Sequence, residues 1–234
     1  MHRSPTAPPP RSRTSRTAAL LAAVVGVCCA LLTALVVIRW HPLLTVDGDV
    51  SRTAHLRAVR DRTLTHVLRV LTDWVWDPLT MRLVCAAAVL WLLWRHAAWR
   101  TALWLAVTVA VAAVVQQSVK SAVDRPRPVW PDPVDSARYA AFPSGHAMTA
   151  TVVCGLLLWL LHRFGVGRVR WRATVVAAVV SVVGVGVTRV WLGVHWPSDV
   201  LGGWLFGALL VLLAVAAYEW PRHREGAPPP DRPR

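Results

Sequence analysis

Six stretches of this chain are long, apolar and almost free of charge: Ala18–Ile38, Pro78–Trp94, Thr101–Ser118, Ala147–Leu161, Ala173–Leu192 and Val200–Tyr218. A bilayer core takes about 20 such residues per helix, and a backbone in lipid must satisfy its own hydrogen bonds. The runs therefore predict an all-α, polytopic membrane protein with six transmembrane helices in one bundle, occupying residues 18–218. The first run follows a basic stretch, as a signal peptide would. It is too long for that and lacks a small-x-small cleavage site before Arg39, so it reads as a retained span.

The remaining segments are polar. Residues 1–17 and 219–234 are rich in Pro and Arg and are expected to be disordered tails. In the connection 39–77, Leu56, Val59, Val67, Val70, Leu71 and Trp74 recur at helical spacing between arginines. That pattern predicts an amphipathic helix over about residues 51–75, lying in the membrane interface or packed as a solvated helix on the bundle. Asp77 and Pro78 suit the cap and first position of the second span. Cys28, Cys29, Cys85 and Cys154 all lie in apolar runs and show neither metal-ligand nor disulfide spacing.

The formal charge of +14 first suggests nucleic acid, but the basic residues are spread over loops and tails and not gathered on one soluble domain, so no nucleic-acid partner is expected. With both tails and the loops 95–100 and 162–172 on one side, that side holds 14 basic and 3 acidic residues, against 12 and 9 on the other. Basic flanks stay cytoplasmic. Both termini are then expected in the cytoplasm, and the loop 119–146 and the turn between the fifth and sixth spans outside it.

Three polar segments converge on that outer face. K-S-A-V-D-R-P-R-P carries Lys120, Arg125 and Arg127; P-S-G-H carries Ser144, Gly145 and His146; T-R-V-W-L-G-V-H-W-P-S-D carries Arg189, His195 and Asp199. Ionisable groups at the edge of membrane spans are costly unless paired or functional. Three cations, two histidines and one carboxylate suit an anion whose charge changes during reaction. Ser144 and the Gly145 amide would sit at a helix N-terminus, where free N–H groups favour an anion. Each piece also has a plainer reading: Pro143 and Ser144 as a helix start, Asp199 as a first-turn acid, His195 as an interfacial histidine, Arg127-Pro128 as a turn.

Taken together these residues resemble the type 2 phosphatidic acid phosphatase / vanadium haloperoxidase superfamily. Lys120, six residues and Arg127-Pro128 fit its first motif, and Pro143–His146 fits the second unchanged. Thr188-Arg189, five residues, His195, three residues and Asp199 fit the third, with Thr188 in place of the usual Ser. Arg125-Pro126 has the wrong spacing and reads as a decoy. The resemblance implies His195 as the nucleophile that forms a phosphohistidine, Asp199 as its orienting base, and His146 as the general acid and then base. It implies Lys120, Arg127, Ser144, Gly145 and Arg189 as phosphate ligands. No metal or cofactor is expected, since the three cations replace one.

The implied activity is metal-independent hydrolysis of a lipid phosphate or diphosphate at the extracytoplasmic face. A polyprenyl (undecaprenyl-type) diphosphate is favoured over phosphatidic acid or phosphatidylglycerol phosphate, because that carrier is released outside. Two other readings share the pocket. A vanadate-dependent haloperoxidase would be soluble, and a non-enzymatic lipid-phosphate transporter would need the cations but not His195, Asp199 and His146. Oligomeric state is not legible.

Overall fold

In the computed structural model, residues 13–224 are described, with side chains described for 19–219. The predicted tails fall largely outside these residues, but 13–17 and 219–224 continue the first and last helices. The described residues form eight α-helices: α1 (Arg13–Val37), α2 (His41–Arg60), α3 (Arg62–Val70), α4 (Pro78–His96), α5 (Trp99–Val123), α6 (Gly145–Arg163), α7 (Arg168–Trp191) and α8 (Pro197–Arg224). A single π-helical turn, Leu71–Val75, precedes α4. Six helical segments are long and apolar enough to cross a membrane: 19–37, 62–96, 99–123, 145–163, 168–191 and 197–219.

Helix α6 is the axis of the bundle. It packs on α4, α5, α7 and α8, and α1 lies against α8. The α6–α8 contact is close because α8 presents Gly203 and Gly207 to it. A Cβ at Gly203 would stand 2.6 Å from the Ser144 carbonyl oxygen, and one at Gly207 2.7 Å from Thr151 Cβ. Small residues four apart let backbones approach where lipid supplies no hydrophobic drive. Many large apolar side chains, such as Leu20, Leu83, Val114 and Val180, face outward, as a surface in contact with acyl chains requires.

At most ends the helices run past the predicted apolar windows. α5 continues from Ser118 to Val123 and carries Lys120 inside its last turn, α6 starts at Gly145 and not Ala147, and α7 starts at Arg168. Arg168, Arg170 and Arg172 extend α7 because long basic side chains can reach the interface from a helix end. Asp77 caps α4 as expected, accepting from Leu79 N at 2.7 Å.

The single helix expected over 51–75 is instead two. α2 begins at His41, and the chain breaks at Asp61, whose carboxylate accepts from Leu64 N at 2.9 Å and so starts α3. A side chain that satisfies a free helix-end amide competes with helix continuation.

Candidate active site

The predicted site residues occupy four helix ends and two loops at one end of the bundle. Lys120 and Arg189 lie in the last turns of α5 and α7, Gly145 and His146 open α6, and Asp199 is in the first turn of α8. These positions suit the charges: cations are favoured near helix C-termini and anions near N-termini. Arg127 comes from the loop 124–144 and His195 from the turn 192–196.

The α8 N-terminus sets the central pair. Trp196 precedes Pro197, and Asp199 two residues on reaches back, its Oδ2 accepting from Trp196 N at 2.9 Å. This is the returning half of a capping box. The same oxygen faces His195 Nδ1 at 3.4 Å. On the other side of the ring, Arg127 Nη1 lies 3.1 Å from His195 Nε2. A carboxylate only accepts and a guanidinium only donates. The neighbours therefore select the tautomer with the proton on Nδ1 and the lone pair on Nε2.

His195 is 2 % exposed. Burial first, and then the charges of Arg127, Arg189 and Lys120, hold its imidazole well below the ordinary histidine range, so it is neutral around pH 7. Lys120 Nζ donates to the Ala140 carbonyl, while Arg127 Nε donates to the Tyr139 carbonyl at 2.9 Å and its Nη2 to that of Arg138 at 3.0 Å. The loop is thereby folded over the site by the same cations. Trp130 Nε1 fixes it further, donating to the Gly193 carbonyl at 2.9 Å, and Trp196 Nε1 donates to that of Pro126 at 3.0 Å.

Two buried polar atoms at the site have no partner: Ser144 Oγ and Arg189 Nε. Buried groups of this kind are seldom left unpaired without a reason, and a donor pair of this type fits an anion. Ser144 stands at the start of α6, as the helix-start reading has it, but its hydroxyl makes no capping hydrogen bond. Its backbone N–H donates to the Asp199 carbonyl at 2.9 Å, tying the start of α6 to α8. Arg189 Nη1 approaches Asp135 Oδ2 at 3.8 Å. His146, like Arg127, is half-buried, and it lies within electrostatic range of Arg189, His195, Arg127 and Lys120.

The space beside Gly145 is occupied by Gln116: a Cβ there would meet Gln116 Nε2 at 2.7 Å. Thr188, the departure from the motif, turns its hydroxyl onto its own helix, donating to the Val185 carbonyl at 2.8 Å.

Arg125, set apart from the phosphate ligands on spacing, holds a place of its own at the site. It is buried, its Nη1 donating to Asp199 Oδ1 at 2.6 Å and to Ser198 Oγ at 2.7 Å, and its Nη2 to Asp47 Oδ2 at 2.7 Å. Spacing excluded it as a phosphate ligand but said nothing of a carboxylate partner. Asp47 was missed altogether. The available signal was its four-residue spacing to Ser51 and His55, which puts the three on one face of a helix.

A family model described as PAP2 superfamily matches residues 101–223, a region that contains all eight predicted site residues. Phosphatidylglycerophosphatase B of Bacillus subtilis is 34% identical over 102 residues, 43% of this chain and 49% of that protein. An undecaprenyl-diphosphatase of Sulfolobus acidocaldarius is 34% identical over 85 residues, 36% of this chain and 35% of that one. The chain thus spans half or less of these two relatives. The putative undecaprenyl-diphosphatase YbjG of Escherichia coli is 31% identical over 143 residues, 59% of this chain and 67% of that protein. Among solved structures, the crystal structure of a transmembrane PAP2 type phosphatidylglycerolphosphate phosphatase from Bacillus subtilis superposes with a TM-score of 0.73 and 25% identity, covering 85% of this chain and 96% of that one. With its family model, its bundle and its clustered motifs in agreement, the chain belongs to the PAP2 superfamily.

Proposed function

We propose that this chain is an integral-membrane lipid phosphatase that acts through a phosphohistidine at His195. The observation that carries this reading is the buried, neutral His195, set between a carboxylate on Nδ1 and a cation on Nε2, beside the unpartnered Ser144 Oγ and Arg189 Nε. A phosphate that enters takes over the Arg127 hydrogen bond and exposes the Nε2 lone pair to phosphorus. Nε2 attacks in line, and the bond from phosphorus to the leaving oxygen breaks. Asp199 holds the Nδ1 proton as the ring gains charge, and the 3.4 Å contact shortens. His146 gives its proton to the leaving oxygen and then takes one from the water that hydrolyses the N–P bond. Lys120, Arg127 and Arg189, with Ser144 and the Gly145 amide, neutralise the phosphoryl oxygens.

The basic flanks put this end of the bundle on the extracytoplasmic side, with both termini inside. There the substrate is a lipid phosphate or diphosphate with its tail in the bilayer, and a polyprenyl diphosphate is the first choice. The structural likeness to a Bacillus subtilis phosphatidylglycerolphosphate phosphatase favours the second choice, a glycerolipid phosphate. Phosphate release by purified protein from polyprenyl diphosphate, phosphatidic acid, phosphatidylglycerol phosphate and diacylglycerol diphosphate ranks them. His195→Ala and His146→Ala should each abolish release while remaining folded. Substantial turnover by His195→Ala would end the phosphohistidine reading, and lipid movement without phosphate release would favour a transporter.

A further inference from the structure

Helix α2 turns three polar side chains inward, one per turn, while its arginines stay at the surface. Asp47, Ser51 and His55 are buried, whereas Val46, Val50 and Leu56 are exposed. A buried carboxylate is tolerated only when paired and hydrogen-bonded. Asp47 is both: its Oδ1 accepts from Ser198 N at 2.9 Å, and its Oδ2 accepts from Ser198 Oγ and from Arg125 Nη2. Arg125 then reaches Asp199 with its other terminal nitrogen, and Asp199 faces His195. The result is a chain of contacts from α2 to the reacting histidine: Asp47, Arg125, Asp199, His195. Relative exposures of 1%, 7%, 0% and 2% leave it little screened by water.

The order of charges matters. Arg125 fixes Asp199 Oδ1 while Oδ2 stays with Trp196 N and His195 Nδ1. Paired with Asp199 alone, a guanidinium would cancel the negative charge that the imidazole draws on. Asp47 on the far side of Arg125 offsets that cation, so the three-residue unit keeps a net charge of one carboxylate. We propose that Asp47 and Arg125 are positioning residues for the reaction: Arg125 orients the Asp199 carboxylate against His195, and Asp47 balances Arg125 so that Asp199 remains an effective acceptor for the Nδ1 proton. The inference rests on the proposed role of His195.

The test uses full-length protein and two soluble lipid phosphates, dioctanoyl phosphatidic acid and farnesyl diphosphate, with thermal unfolding measured for every variant. Asp47→Asn and Arg125→Met should each lower kcat by about 10–100-fold, the scale for a partner one contact removed from a reacting group, with KM nearly unchanged. The double variant leaves neither an unbalanced cation nor two facing carboxylates. It should exceed both single variants and still fall short of wild type by about 3–10-fold, because the Asp199 Oδ1 contact is gone. Folded Asp47→Asn with wild-type kcat, a loss confined to KM, or single effects that simply multiply in the double variant would each overturn the proposal. If a single variant does not fold, the double variant decides: wild-type kcat refutes, and reduced kcat at unchanged KM supports. An active His195→Ala would remove the phosphohistidine reading itself; an inactive His195→Ala beside wild-type-like Asp47 and Arg125 variants would remove only this inference.

Discussion

Replacing Asp199 by Asn keeps the shape of the side chain and changes one atom from acceptor to donor. Three donors converge on the carboxylate: Arg125 Nη1 on Oδ1 at 2.6 Å, and Trp196 N at 2.9 Å and His195 Nδ1 at 3.4 Å on Oδ2. If the amide nitrogen takes the Oδ2 position, it opposes Trp196 N–H and drives the His195 proton from Nδ1 to Nε2. The Nε2 lone pair that the proposed mechanism uses is then lost. If it takes the Oδ1 position, it opposes Arg125 and leaves His195 Nδ1 without an anionic partner. The first arrangement resembles the loss of the orienting aspartate in a serine protease triad, which costs about 10⁴-fold in kcat. That corresponds to about 5.4 kcal/mol at 1.36 kcal/mol per decade. Folding should survive, because Arg125 retains Asp47 at 2.7 Å and Ser198 Oγ at 2.7 Å. The assay is phosphate release at saturating lipid phosphate by wild type, Asp199→Asn and His195→Ala, with unfolding temperature recorded for each. A well-folded Asp199→Asn enzyme within about tenfold of wild type would refute the tautomer argument.

Ser144→Ala removes a buried hydroxyl that has no partner, so stability should change by less than about 0.5 kcal/mol, while affinity for inorganic phosphate or vanadate falls by about 10–100-fold, as loss of a hydrogen bond to a charged ligand predicts. Equal inhibition of variant and wild type would count against the anion site. Gly203→Ala places a Cβ 2.6 Å from the Ser144 carbonyl, a backbone atom that cannot turn aside, and should destabilise by about 1–3 kcal/mol in thermal unfolding. An unchanged unfolding temperature would show that the α6–α8 contact is looser than described. Burial and three nearby cations keep the His195 imidazole well below the ordinary range, whereas the unfolded chain binds that proton near about pH 6.5. Its share of stability is thus full above that pH and is lost as pH falls below it. Unfolding temperature should rise from pH 5.5 to 7.5, less steeply in His195→Asn; His55, also pushed down by burial, leaves part of the slope. Identical slopes in both proteins would contradict the assignment.

Much of this protein is legible along the chain. The length and apolarity of the runs decide that there are six candidate spans, because lipid demands helices of a fixed length. The spacing of Lys120 and Arg127, of Ser144 and His146, and of Arg189, His195 and Asp199 is local, and apart from Arg127 these residues lie in or beside a helix end, where side-chain direction follows from position. How those segments meet follows from the packing of the helices. That packing placed Arg127 on Nε2 and Asp199 on Nδ1, which fixes the tautomer. It turned the Ser144 hydroxyl away from the helix-cap role, and it filled the space beside Gly145 with Gln116. It also brought Asp47 across 151 residues to Ser198, and Arg125 across 74 to Asp199. The physical reason is that motif spacing reports residues facing a common ligand, whereas a buried ion pair is set by which helix ends pack together. Arg125 was set aside on spacing and Asp47 was hidden in a polar connection, and both are recovered only when α2 is laid against α8.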